Sequence, residues 1–206
     1  MIGDAAAWRA IWRDLGAYPP DGLHAQLLAS WSESHRHYHA PQHLRECLER
    51  FESVRGLAKH PGEVALALWF HDAFYDPRRQ DNEHRSAEWA RAAALQAGVP
   101  EESAARIHAL VMATCHQTVP DDADGQLLVD VDLSILGAEP ARFDESDAQI
   151  REEYAHVPHA QFVERRRGIL GGFLARPSIY STEHFHALLE QRARANLQRA
   201  VARLSA

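Results

Sequence analysis

Residues 64–70, Val-Ala-Leu-Ala-Leu-Trp-Phe, are apolar without a break and run straight into His71 and Asp72. A segment that is apolar all round has no face to give to water, so it belongs in the middle of a bundle. Taken over 63–75, this stretch is expected to be a central buried helix. The rest of the chain supplies the elements to surround it. Leu44, Leu48, Phe51, Val54 and Leu57 form one stripe with helical spacing. Asn82 is placed to cap a helix running through Ala87, Ala90 and Ala94 to Gly98, a residue type suited to a helix C-terminus. Pro100 then opens EESAARIHALVMATCH, with acids in its first turn as the helix dipole prefers. Segments 140–156, 159–175 and 181–204 also read as helices, with Pro158 and Pro177 between them. The short apolar run 126–136 fits either a strand or a buried helix. Loops are expected at 16–22, 76–82 and 117–125. No repeat, low-complexity linker or composition shift marks a boundary. The expectation is an all-α globule of about eight to ten helices, one domain over 1–206 with residues 1–30 as a helical extension packed on it.

Charge and cysteine usage narrow the function classes. The formal net charge is −7 over 206 residues, which argues against a nucleic-acid polymer as partner. A small phosphate ester held by a few arginines stays open. No apolar run approaches the roughly 18–20 residues of a membrane span, and MIGDAAAWRAIWRDL lacks the uninterrupted apolar core of a signal peptide. A cytoplasmic protein with no membrane partner is therefore expected. Cys47 and Cys115 are the two cysteines and make no CxxC pair, so disulfide and structural-zinc readings are weak.

The 14 histidines carry more information. Adjacent helical residues point about 100° apart, yet His71 and Asp72 can reach one ion placed beyond a helix end. The alternative is a satisfied core histidine beside a helix-end carboxylate. HRHYHAPQH places His39 and His43 four residues apart, and Pro41 suits a helical first turn, so His43 should face inward. LLVDVDLSILG carries Asp130 and Asp132 in an apolar setting, where carboxylates need partners. A cation held by imidazoles and carboxylates would resolve these costs together. Such a mixed donor set suits Zn, Mn, Fe or Ni, and Mg less well.

In order along the chain, His43, His71-Asp72 and Asp132 resemble the HD superfamily of metal-dependent phosphohydrolases. YHAPQH resembles the YHNxxH segment of cyclic-nucleotide phosphodiesterases, with Ala40 in place of Asn, and DLSILG resembles their DLS segment. RHYHAPQH, WFHDAFYDP, DNEHRSA, DLSILG and EQRARAN also recur in this order in a bacterial branch described as predicted metal-dependent HD phosphohydrolases. The resemblance spans about positions 31–200. It implies His43, His71, Asp72 and Asp132 as metal ligands, with Asp130 outside the ligand position. It places His39 where the phosphodiesterases keep a general acid; a hydrogen-bonding partner to the site is the other reading. Alarmone hydrolases of the superfamily carry HDxxED, whereas Tyr75 and Asp76 stand here. Asp76 is thus either the residue that orients the attacking water or the one that ends the helix before Pro77.

The implied activity is hydrolysis of a small phosphate ester, with nucleotides the leading class, by a metal-activated water. Asp72 would serve both ion and water, and His39 would protonate the leaving oxygen. Arg36, Arg78, Arg79 and Arg85 are the nearest cations in sequence. The alternative is a non-catalytic HD-type protein that senses a nucleotide or a metal. Glu83 reads as a helix-start residue or a flap over the site, and His116 as a donor to a second ion. Glu190 and Arg194 read as a helical ion pair first and a substrate contact second. Trp8, Trp12 and Trp31 are most economically core.

Overall fold

The computed structural model describes residues 4–205. Among these it has ten α-helices and no strand. They are α1 (Ala5–Asp14), α2 (Leu23–Trp31), α3 (Pro41–Val54), α4 (Pro61–Phe70), α5 (Asn82–Gln96), α6 (Glu101–Ala113), α7 (Ala123–Asp132), α8 (Pro140–Glu153), α9 (His159–Ala175) and α10 (Glu183–Arg203). The all-helical expectation holds. The ambiguous run 126–136 resolves into the end of α7 and a 3₁₀ turn over Leu133–Gly137. No described helix is long and apolar enough to cross a membrane. The chain divides into two compact units, one ending at Val131 and the other starting at Asp132. The division falls at the last residue of α7.

In the first unit α4 is the central element, and every residue from Gly62 to Phe70 is buried. Its one charged side chain, Glu63, is met by Arg106 of α6 through two hydrogen bonds of 2.7 and 2.6 Å. Trp8 of α1 packs edge-on against Trp69, with ring centroids 5.1 Å apart. Trp8, Trp12 and Trp31 are all core. Ala87, Ala90 and Ala94 of α5 are fully buried, so small side chains let α5 approach closely. Gly98 ends α5 at φ 82°, and the Val99 N–H returns to the Ala94 carbonyl at 3.0 Å.

Two features set where α4 and α7 deliver their last residues. Asp124, in the first turn of α7, accepts from the Lys59 N–H (2.7 Å), the His60 N–H (3.0 Å) and His60 Nδ1 (2.9 Å) just ahead of α4. The two helices therefore start from one anchor, and each is 10 residues long. At the far end, α4 stops at Phe70, earlier than the expected 75. The carbonyls of Asp72 and Ala73 are taken by the Arg36 guanidinium at 2.6 and 3.0 Å. Ser86 Oγ accepts the Phe74 N–H at 3.0 Å. Backbone groups so engaged are withdrawn from the i to i−4 ladder, and the helix turns out.

The second unit holds the Leu133–Gly137 turn in a tight cradle. Asn196 of α10 donates to the Leu136 and Ala138 carbonyls, both at 2.9 Å. The Tyr180 hydroxyl donates to the Leu133 carbonyl at 3.1 Å. Gly137 is packed so closely that an added Cβ would lie 2.6 Å from Leu189 Cβ. Glu190 accepts from the Ile179 N–H at 3.1 and 3.0 Å and from the Tyr180 N–H at 3.3 Å. Arg194 pairs with Glu190 at 2.7 Å and donates to the Leu174, Arg176 and Pro177 carbonyls. The ion-pair reading of Glu190 and Arg194 is the one the structure supports, and their work is to fold 174–180.

Gly137→Ala is expected to cost about 1–3 kcal/mol through overpacking, read as a lower urea midpoint at unchanged slope. A second expectation concerns acid. The Arg199 hydrogen bond, seconded by Arg203, holds the Asp144 carboxyl below its ordinary range. A lowered folded pKa gives stability that is present above the ordinary Asp value and lost as pH falls through the folded one. Asp144→Asn should therefore flatten the acid limb of the stability profile, with the difference from wild type shrinking below that range.

Candidate metal centre

His71 is the C-cap residue just past α4, and its side chain is buried. Its Nδ1 lies 2.7 Å from the Leu68 carbonyl, which can only accept, so Nδ1 carries the proton and Nε2 the lone pair. That Nε2 stands 3.1 Å from His43 Nε2 and 3.2 Å from Asp72 Oδ2. The third side of the triangle, His43 Nε2 to Asp72 Oδ2, is 3.8 Å. α3 starts at Pro41, and His43 lies on its buried face with Leu44, Cys47 and Phe51, inward as expected.

His43, Cys47 and His71 of the first unit each offer one ligand atom, all within 4.8 Å of one another. Asp132 arrives as the last residue of α7. Its neighbour Asp130 is fully buried but is not in this group. Cys47 is the donor that the sequence reading passed over. Its Sγ lies 3.6 Å from His43 Nδ1 and 3.8 Å from Nε2, and it is buried. The available signal was its i, i+4 spacing from His43 on one face of α3; a search for CxxC does not see it.

The walls of the site are aromatic. Trp31 lies against His71 and His43, with centroids at 5.3 and 6.3 Å, and its Nε1 donates to the Trp69 carbonyl at 3.0 Å. Tyr38 lies 4.7 Å from the His43 ring. His39 precedes α3 rather than sharing it, since Ala40 is the N-cap. It is half-buried, stacked on Tyr75 at 4.1 Å, and 6.1 Å from the His43 ring.

Arg36 organises the turn from beneath. It is buried, with its guanidinium donating to the carbonyls of Asp72 (2.6 Å), Ala73 (3.0 Å) and His39 (3.2 Å) and to Glu33 (3.0 Å). It thus ties the His39 segment to the His71-Asp72 turn, and of the four arginines nearest in sequence this one is engaged by backbone carbonyls. Arg79 forms a bidentate pair with Asp81, both bonds 2.7 Å, and Arg85 covers the Phe74 ring at 3.4 Å.

Asp76 accepts the Arg78 N–H at 2.9 Å. Asn82, expected as a helix cap, instead clasps the Asp76 backbone from both sides. Its Oδ1 accepts the Asp76 N–H (3.2 Å), and its Nδ2 donates to the Asp76 carbonyl (3.0 Å). The N-cap position belongs to Asp81. His116 sits past the end of α6 in the left-handed region, at φ 54°. Burial pushes the Cys115 thiol up, and the Glu83 carboxylate adds to the shift, so Cys115 is not poised as a thiolate.

No family model, curated protein or solved structure matches this chain.

Arg36→Ala should destabilise the fold by roughly 2–4 kcal/mol, because several part-buried carbonyls lose their donor at once. Arg36→Lys should recover only part of it, since a point charge does not reproduce a planar fork. Urea midpoints for both variants test this.

Proposed function

We propose that this chain is a metal-dependent phosphohydrolase of the HD superfamily acting on a small phosphate ester, with nucleotides the leading substrate class. The observation that carries the reading is the convergence of His43, His71 and Asp72 at the end of a buried helix. A single proton satisfies one contact in that triangle; a divalent cation satisfies all of them. Ligand atoms about 2.1 Å from a common ion stand roughly 3.0–3.4 Å apart, which the spacings of 3.1, 3.2 and 3.8 Å approach. These three donors fit one divalent ion held by His43, His71 and Asp72, and we assign Asp132 as its fourth ligand on the resemblance alone, since these spacings join Asp72 to the two histidines only. Cys47 beside it tilts the choice among Mn, Fe, Ni, Zn and Mg toward the softer ions.

When bound, such an ion supplies Lewis acidity toward a phosphoryl oxygen and lowers the pKa of water. The chain's own residues do the rest. His71 is held in one tautomer by Leu68 and presents Nε2. Asp72 keeps its carboxylate within reach of both imidazoles while its carbonyl is anchored by Arg36. His39, half-buried and stacked on Tyr75, is the group assigned to hand a proton to the leaving oxygen. Trp31 and Tyr38 keep the buried face dry, which strengthens electrostatic interactions inside. Asp76 is assigned to building the turn, since its carboxylate holds the Arg78 N–H.

A second reading, a non-catalytic nucleotide- or metal-sensing protein, draws on the cations. Arg36 and Arg79 are spent on internal partners, which leaves fewer groups to stabilise phosphoryl charge. Phosphate release from nucleoside monophosphates, cyclic nucleotides and aryl phosphates, with added Mn²⁺, separates the readings. The first predicts turnover that Asp72→Ala abolishes and that His39→Ala lowers about 10²–10⁴-fold with metal retained. Ligand binding without turnover in wild type would move the protein to the second reading. Turnover unchanged in Asp72→Ala would remove the centre from the chemistry.

A further inference from the structure

A second group of donors lies on the surface of the first unit, apart from the buried cluster. His84 and Glu88 are four residues apart on α5, so they share a face one turn apart. His108 of α6 faces them. One ligand atom from each lies within 4.8 Å of the others. His108 Nε2 is 3.1 Å from Glu88 Oε1, and the His84 and His108 rings stand edge-to-face at 6.3 Å. His84 and Glu88 are exposed and His108 is partly so. The bland account is a surface ion pair between His108 and Glu88, which needs nothing from His84.

We propose that His84, Glu88 and His108 form a second metal site, specific for a divalent transition ion, with Zn²⁺ the reference case. Two imidazoles and one carboxylate on a pair of packed helices make a three-ligand set that leaves a fourth position for water or another ligand. Ligand atoms around Zn²⁺ stand roughly 3.3 Å apart. Reaching that from a 4.8 Å envelope needs only small rotations of side chains that solvent leaves mobile. The site carries a single negative charge from Glu88. Of the neighbouring arginines on α5, Arg91 is paired with Glu101, and Arg85 lies over Phe74.

Binding here clips α5 to α6 near the start of α5. That start carries Asn82 and Ser86, the residues that hold Asp76 and Phe74. The ion would thus brace the helix that supports the His71-Asp72 turn. The inference does not depend on the buried cluster being catalytic.

The test is calorimetric titration of Zn²⁺ into chelator-treated full-length protein, for wild type, His84→Ala, His108→Ala and His71→Ala. The melting temperature of each is followed with and without Zn²⁺. The expected result is a binding event in wild type that His71→Ala retains and that His84→Ala and His108→Ala each weaken at least tenfold. Part of the Zn²⁺-induced rise in melting temperature should be lost with it. His84→Ala replaces an exposed side chain, so its unliganded melting temperature should match wild type; His108 is partly buried and paired with Glu88, so the Zn²⁺-induced rise in His108→Ala is read against that variant's own unliganded value. The proposal is overturned if His84→Ala and His108→Ala titrate as wild type does, or if the only event seen is the one that His71→Ala removes. Loss in His108→Ala alone would leave only the His108–Glu88 pair and equally overturn it.

Discussion

A buried guanidinium sets the geometry on which the candidate centre depends. Arg36 donates to the carbonyls of Asp72, Ala73 and His39. By engaging the first two it helps end α4 one residue before His71, and by engaging the third it draws the segment before α3 to that same end. Without such a partner, the helix begun at Pro61 would be free to continue through His71 and Asp72 to Tyr75. His71 and Asp72 would then point about 100° apart along its side. Leaving the helix lets the two side chains converge, with Oδ2 of Asp72 3.2 Å from Nε2 of His71. The cost of a buried arginine is offset by satisfying several backbone acceptors at once.

The remaining framework places donors rather than supplying them. Asp124 anchors the starts of α4 and α7 together, so two helices of equal length carry His71 and Asp132 to their ends. In the second unit Asn196, Tyr180 and Gly137 fix the turn that follows Asp132. Glu190 and Arg194 fold the segment that brings Tyr180 into place. The motif-like residues near the C-terminus are thereby accounted for as scaffold, each by a named backbone partner.

Much of this was legible in the sequence where the signal is local. Periodicity, Pro41, Gly98 and Pro100 place α3, α5 and α6 well, and an inward His43 follows from a helix start at Pro41 taken with the Leu44 and Leu48 stripe. Segment 159–175 coincides with α9. Signals that depend on distant partners were not legible. Arg36 looks like any surface arginine until its acceptors, some 36 residues away, are known. Asn82 reads as a cap because its clasp on Asp76 closes through a loop. The run 126–136 is short and apolar, and burial on all sides erases the periodicity that separates helix from strand. Cys47 belongs to no CxxC pair, and its one local mark is the spacing from His43 that places both on one face of α3.

The account's central claim is that the buried triangle of His43, His71 and Asp72 is built around an ion. The most direct measurement is metal content by elemental mass spectrometry on wild type and Asp72→Ala, purified side by side without chelator. The account predicts close to one equivalent more transition metal in wild type than in the variant, with both proteins equally folded by circular dichroism. Equal metal in the two, or none in wild type even after incubation with Mn, Fe, Ni or Zn, would contradict it and leave the histidines as structural.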